Sequence, residues 1–315
     1  MATTNYDVIV IGGGSAGLAA GVILARSRRS VAVIDAGHPR NAPADGVHNF
    51  LTREGTPPAE LLAVGRREFT GYGGTLIEAE ATDASRDGDG FAVELDDGRR
   101  LAGRRLLITT GLRDELPDIP GLTERWGHDV LHCPYCHGWE VRDQQIAIIG
   151  TGPMAAHGAS LFRQLTDRVT LCLHNAPLDD EQRTRLAARD VRITDSPVET
   201  LVVDSDRLVG LRLTDGTVVD ADAVVVAPRF VANSAVLTSL GVEVREHEMG
   251  VGRHVVVDPM QRTSVPGVYA AGNVSNLMAQ VISAASEGSA AGAMINADLV
   301  TEDFDRAVAR AGVPA

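Results

Sequence analysis

Unbroken apolar runs that end in glycine set the pattern of this chain. Tyr6-Asp7-Val8-Ile9-Val10-Ile11 runs into Gly12-Gly13-Gly14-Ser15-Ala16-Gly17, and an alanine-rich helical stretch follows to about Arg26. Apolar residues at successive positions suit a strand covered on both faces, as in a parallel sheet. Ser30-Val31-Ala32-Val33-Ile34-Asp35 reads as the next strand and ends in a carboxylate. Strand, glycine turn, helix and strand make one βαβ unit.

The arrangement returns downstream. Gln145-Ile146-Ala147-Ile148-Ile149 leads into Gly150-Thr151-Gly152-Pro153-Met154-Ala155, with alanine where a third glycine would stand. The chain therefore holds two dinucleotide-type units, and 169–173, 208–213 and 223–226 are read as further strands of the second. Between the units, 37–60 has scattered prolines and little periodicity, the mark of a long functional loop. A helix is expected over 60–71 and short strands with polar turns over 74–107. Leu106-Leu107-Ile108-Thr109-Thr110-Gly111 closes a strand onto glycine, and Pro117 and Pro120 mark a crossing between units at 114–121. A last strand at 265–273 precedes Gln280 and a helix rich in alanine and glycine, whose small residues suit close packing on a cofactor or sheet, or on another helix.

Composition narrows the class. A chain of 315 residues fits about two domains, and 44% hydrophobic residues with 33 glycines but only 4% aromatics favour α/β over a β-sandwich. The net charge is −13 and all 29 basic residues are arginine. Such a surface argues against nucleic-acid or anionic-membrane partners, and the absence of lysine excludes Schiff-base chemistry. No run approaches the ~18 apolar residues of a membrane span. No basic region precedes the first strand, so a cytoplasmic protein is expected.

The glycine turn has defined work: Gly12 for the tight turn, Gly14 for close approach to a pyrophosphate, Gly17 for helix packing on the sheet. The helix N-terminus offers free N–H groups to phosphates, and Asp35 can accept from adenosine ribose hydroxyls. Reactive chemistry concentrates in His132-Cys133-Pro134-Tyr135-Cys136-His137. In a reducing cytosol such a cysteine pair is redox-active or metal-binding; no second close Cys or His pair follows at ligand spacing, so no metal is expected. A thiolate is the attacking species, and free cysteine ionises near ~8.5, which gives a neighbouring base a purpose. His132 and His137, titrating near ~6.5, are the candidate proton carriers. Cys172 and Trp139 are read as core residues, and His38 and His48 as surface or hydrogen-bonding ones.

These marks together resemble, over essentially the whole chain, the low-molecular-weight thioredoxin reductase family of FAD-dependent disulfide oxidoreductases. The resemblance implies an α/β fold of two Rossmann-like dinucleotide-binding domains of the three-layer ββα type, the second inserted into the first. It implies an FAD-binding domain over 1–112 and 246–315, and an NAD(P)-binding-like domain carrying the cysteine pair over 113–245. Carried over by position, the FAD contacts are Gly12, Gly14, Ser15, Ala16, Gly17, Asp35, Thr110, Gly111, Gly272, Asn273 and Gln280. Family members are homodimers, and the same is expected here.

Three departures set the expected activity. The strand after the second glycine motif ends Leu173-His174-Asn175-Ala176-Pro177, and the next arginine is Arg183, so the basic grip on an NADPH 2′-phosphate is missing. His137 stands where the reductases have an aspartate, and Asn273 replaces the aspartate that bonds the flavin ribityl chain. The pattern from His132 to Glu140 is similar to the branch with gliotoxin-type and holomycin-type dithiol oxidases. That resemblance implies disulfide formation in a small-molecule dithiol, with electrons passing through FAD to oxygen. An NADPH-dependent thioredoxin reductase and a non-turnover flavin redox sensor are the alternatives.

Overall fold

Parallel pairing of the apolar runs builds the first sheet. In the computed structural model, which describes residues 4–232 and 235–311, β1 (Thr4–Ile11) lies between β2 (Val31–Asp35) and β6 (Arg100–Ile108), with β3 (Thr75–Glu78) beyond β2. β4 (Ala81–Asp87) and β5 (Gly90–Leu95) add an antiparallel hairpin to β6. Val8 to Ile11 are all buried because both faces are covered. Ile9 and Ile11 pack with Ile34 and Phe91 on one face, Val8 and Val10 with Leu24 and Phe69 on the other. The second face is roofed by α1 (Ser15–Arg26) and α2 (Pro58–Gly71). The latter begins at Pro58, slightly ahead of the expected start, as proline's fixed φ suits a first helical turn.

The chain leaves through β7 (Leu112–Glu115), α3 (Leu122–Arg125), β8 (Val130–Leu131) and α4 (Pro134–His137). A second parallel sheet follows, built on β9 (Ile146–Gly150), β10 (Val169–Leu173) and β11 (Arg192–Thr194), with α5 (Ala155–Phe162) and α6 (Asp180–Ala187) as crossovers. β12 (Val198–Asp204), β13 (Arg207–Leu213) and β14 (Val218–Asp220) form a separate antiparallel sheet. The strand expected at 208–213 is therefore present, in the second sheet layer of the ββα arrangement that the resemblance implied. β13 buries Leu208, Leu211 and Leu213 but exposes Arg207, Val209 and Arg212, the signature of a strand covered on one face. β15 (Ala223–Val226), buried throughout, is the parallel neighbour of β9 and β8. The layers are therefore helix, sheet, sheet: Ile146 and Ile148 pack on Phe162 and Leu186, while Ala147 and Ile149 pack on Leu208 and Leu211.

β16 (Arg229–Ala232) returns antiparallel to β7, and β17 (Val244–Glu246) and β18 (Gly252–Val255) complete that small sheet. Between them α7 (Ala235–Leu240) carries Val236 and Leu237 into the first core, so packing on that core begins before position 246. β19 (Val268–Ala270) then pairs in parallel with β6, which closes the first sheet and leaves the second as an insertion within it.

The last helix, α8 (Val281–Ala311), lies across α1. A Cβ on Gly288 would overlap the Ala16 carbonyl, so the small residues of this helix serve helix packing. Arg29, Arg104 and Arg105 pin its far half through Asp303, Glu302 and Asp298. Among the described residues no helix is long and apolar enough to cross a membrane.

Candidate functional site

A cleft of about 570 Å³ opens where the ends of β1, β6 and β19 meet the inserted unit, a volume within the usual range of ligand sites. One wall is the first glycine turn. Gly12 has φ 112° and donates its N–H to the Ile34 carbonyl at 2.8 Å, while Thr109 Oγ1 donates to the Gly12 carbonyl at 2.8 Å. A side chain at Gly12 would strike the Thr109 carbonyl. Gly12, Gly14, Ser15 and Ala16 line the cleft. Gly17 does not; it sits beneath the turn against the Gly12 carbonyl.

The other sequence-assigned positions converge on the same space. Thr110 and Gly111 line it from the end of β6, and Gly272, Asn273 and Gln280 from the segment between β19 and α8. Asp35 lines it too, but its Oδ2 accepts from Arg66 Nη2 at 2.6 Å and its Oδ1 from the Gly37 N–H at 3.1 Å. Asn273 turns its amide inward: Nδ2 donates to the Ala279 carbonyl at 2.9 Å and the Asn276 carbonyl at 3.1 Å. An aspartate could make neither bond, so the asparagine fixes this loop. Glu287 of α8 fixes it as well, accepting from the Gly272 N–H at 3.0 Å and Asn276 Nδ2 at 2.6 Å.

The opposite wall carries the cysteines. Cys133 and Cys136 are joined in a disulfide with Cα atoms 5.3 Å apart, and both line the cleft with His132 and His137. His132 meets the Phe230 ring edge-on at 5.3 Å. Burial, and next the positive charge of Arg40, push it down to about 4, so the imidazole is neutral at physiological pH. Arg40 itself is held by Asp114 in a bidentate pair, both bonds 2.6 Å. His137 is also lowered, chiefly by burial, with the Glu140 charge opposing and His48 assisting; its Nε2 is buried without a hydrogen-bond partner.

The loop at 37–56 closes over this wall. Asn49 Nδ2 donates to the Tyr135 carbonyl at 2.5 Å, inside the Cys-x-x-Cys turn. His48 places Nδ1 2.6 Å from Glu54 Oε1 and Nε2 3.5 Å from Glu140 Oε1. His48 is hydrogen-bonded, as its sequence reading allowed; Arg40 and Arg66 lay in segments without a motif, and only this placement reveals them. Glu140 had a signal, its position in the pattern from His132 to Glu140. Trp139 is not in the core as expected: it is 66% exposed, with the Arg142 guanidinium 4.1 Å from its ring centre. Cys172 is buried as expected, its thiol pushed up to about 12 by burial.

The second glycine turn is differently equipped. Past β10, His174 Nδ1 accepts from the Val198 N–H at 3.2 Å. Arg183 is engaged by Asp195, with Nη2 2.5 Å from Oδ1.

The first cleft fits FAD on features of its own. A Cβ on Gly14 would meet nothing within 4 Å, so the backbone there faces open space at the start of α1. Thr110 Oγ1 is buried with no partner, an unmet polar group of the kind a ligand satisfies.

Comparison with known proteins agrees. The family model described as pyridine nucleotide-disulphide oxidoreductase matches residues 6–288. The chain is 32% identical to thioredoxin reductase tcpT of Claviceps purpurea (strain 20.1), covering 96% of this chain and 97% of the relative. It is 31% identical to thioredoxin reductase sirT of Leptosphaeria maculans, covering 95% and 96%. Among solved structures, HlmI superposes with a TM-score of 0.90 at 46% identity, over 98% of both chains. The thioredoxin reductase TrxB of Bacillus anthracis, described there as putative, superposes at 0.88 with 27% identity, over 95% of this chain and 100% of that one. The protein is therefore an enzyme of the pyridine nucleotide-disulphide oxidoreductase family, a two-Rossmann-unit oxidoreductase with FAD as its cofactor.

Proposed function

We propose that this enzyme is a dithiol oxidase that closes a disulfide in a small-molecule dithiol through Cys133 and Cys136, with oxygen as the final acceptor. The observation that carries the reading is one cleft shared by the Cys133–Cys136 disulfide and the Gly12–Ala16 turn. Electron direction is argued from the second turn, where His174 and Arg183 are bonded within the protein. The domain division is proposed as 1–112 with 246–315 for FAD, and 113–245 for the insert with the cysteines. FAD would be held by Gly12, Gly14, Ser15 and Ala16 at the phosphates, Thr110 and Gly111 at the end of β6, and Gly272, Asn273 and Gln280 beside the flavin. When bound it supplies the two-electron acceptor that recloses the cysteine pair and delivers the electrons to oxygen.

The chain's own steps balance as thiol–disulfide exchange. A substrate thiol gives its proton to an imidazole. The thiolate attacks Cys133 Sγ, the Cys133–Cys136 bond breaks, and Cys136 leaves as a thiolate. The second substrate thiol, deprotonated in turn, displaces Cys133, and the substrate departs as its disulfide with the pair reduced. Of the two imidazoles, His137 is the base in this scheme: its Nε2 is unpartnered and the Glu140 charge favours its protonation. His132, pushed down to about 4, acts as a neutral neighbour that tolerates the developing charge. Membership of a family of homodimers, and a cytoplasmic setting that keeps substrate thiols reduced, complete the proposal.

Anaerobic mixing of the purified yellow protein with dithiothreitol, NADH or NADPH tests it. Bleaching of the flavin by the dithiol alone, with colour and peroxide returning on admission of air, is expected. Rapid bleaching by micromolar NADPH would overturn it in favour of a reductase.

A further inference from the structure

We propose that His48 belongs to the acid–base machinery of the cysteine pair, relaying protons between His137 and solvent through Glu140 and Glu54. The inference deepens the thiol–disulfide reading above and rests on it. Three features converge. His48 lines the same cleft as His137 and the disulfide, although it comes from the loop between β2 and α2 on the other wall. Its two ring nitrogens are each aimed at a carboxylate, Nδ1 at Glu54 and Nε2 at Glu140. Glu54 and Glu140 are both in contact with water, at 67% and 43% exposure, while His137 Nε2 is sealed and unpartnered and His48 between the two carboxylates is largely covered, so the cluster joins a dry imidazole to solvent.

A proton taken from a thiol by a buried imidazole has to leave before the next substrate thiol can be deprotonated. An imidazole bracketed by two carboxylates can accept at one nitrogen and release at the other, and its charge is offset in either state. In the step proposed, the substrate S–H bond breaks, the proton moves to His137, and from there by Glu140 and His48 to Glu54 and solvent; no electron moves. The loop is held for this purpose by its own contacts. The Asn49 N–H donates to Glu54 Oε2 at 2.9 Å, and Asn49 Nδ2 ties the loop to the Tyr135 carbonyl beside the cysteines. The charged or titratable groups bearing on His137 are Glu140, His48 and Asp45, and it acts in turn on His132; those on His48 are Glu54 and Glu140.

The test uses the FAD-loaded enzyme, reduced and freed of dithiol, and follows iodoacetamide alkylation of Cys133 and Cys136 by mass spectrometry across pH. His48→Asn keeps an amide donor toward Glu54 but cannot carry a proton; His48→Gln serves if the asparagine variant loses FAD. Protonated His48 lowers His137 and Glu140 raises it. The histidine-dependent limb of the profile is therefore expected to move to higher pH in His48→Asn and to lower pH in Glu140→Gln. Dithiol-driven bleaching should slow at least ~10-fold in His48→Asn, below the usual range for a direct proton-transfer group, and recover with added imidazole. Alkylation profiles that superimpose on the wild type in both variants would overturn the relay. If dithiols fail to bleach even the wild type, the oxidase reading falls, and the alkylation profile still decides on His48.

Discussion

The two glycine turns have the same local build and opposite surroundings. Each follows a strand that is buried where it meets the turn, β1 over Val8–Ile11 and β9 throughout, and each opens a helix. At the first, Gly12 is forced into positive φ against Thr109, a polar oxygen of Thr110 is left unmet, and the turn opens into a cleft with a disulfide on its far wall. At the second, the basic and polar groups past the following strand are spent on Val198 and Asp195. The lesson is that strand–turn–helix geometry specifies a place for a phosphate, while the groups around it decide whether that place is used. The cysteine pair faces the equipped turn.

The sharpest way to break this contrast is to remove the sulfur that leaves as a thiolate in the proposed exchange. Cys136→Ser should abolish dithiol-driven flavin bleaching, by on the order of 10³-fold or more as for loss of a reacting nucleophile, while the flavin-to-protein absorbance ratio stays unchanged. Loss of flavin from that variant would show the pair to be structural. Next come the turns themselves. Gly12→Ala places a Cβ on the Thr109 carbonyl at φ 112°, and should cost about 1–3 kcal/mol and most of the bound flavin. Gly152→Ala meets nothing within 4 Å and should stay within about 0.5 kcal/mol of wild type. Equal effects on melting temperature would erase the distinction between the sites.

A third prediction concerns the wall between them. An unfolded histidine titrates near 6.5, whereas folded His132 is pushed down to about 4 by burial. Between those values the unfolded chain binds a proton that the folded chain refuses. The folded state therefore loses stability as pH falls from about 6.5 toward 4, and bears no such cost at higher pH. The melting temperature of His132→Gln should fall less than that of wild type between pH 7 and pH 4.5, by roughly 2–4 °C. Parallel declines would mean that His132 is wetter than its place beside Phe230 implies.

Local grammar explains which parts of this were legible. Val8–Ile11 and Ile146–Ile149 announce parallel strands because every position is apolar, and Gly12, Gly14 and the cysteine spacing announce a cofactor turn and a redox pair. β13 was legible as a strand from Leu208, Leu211 and Leu213, and the exposed Arg207, Val209 and Arg212 mark it as covered on one face only, but its antiparallel partners are set by turns that carry no such pattern. Trp139 was misplaced because a large ring reads as core, and only tertiary position shows it capped by Arg142 in solvent. His48 and Arg40 were illegible for a different reason. Each acts through partners far along the chain, Glu140 and Asp114, and a loop without periodicity holds no record of where it folds.

The smallest effect expected tests the unequipped turn most directly. The Arg183–Asp195 pair joins side chains that are 38% and 71% exposed, and solvent screening leaves such a pair worth ~0.2–1 kcal/mol. Arg183→Ala should therefore lower the melting temperature only slightly and leave the flavin unbleached by NADPH, as is expected of the wild type. Asp195→Ala is the more informative partner, since it releases the first guanidinium that follows β10 in the chain. If one free arginine sufficed, that variant would begin to bleach with NADPH. No response is expected, because His174 remains bonded to Val198 and Asn175 and Ala176 add no charge. A flavin that bleaches with NADPH in Asp195→Ala but not in the wild type would show the second turn to be masked by one ion pair rather than stripped.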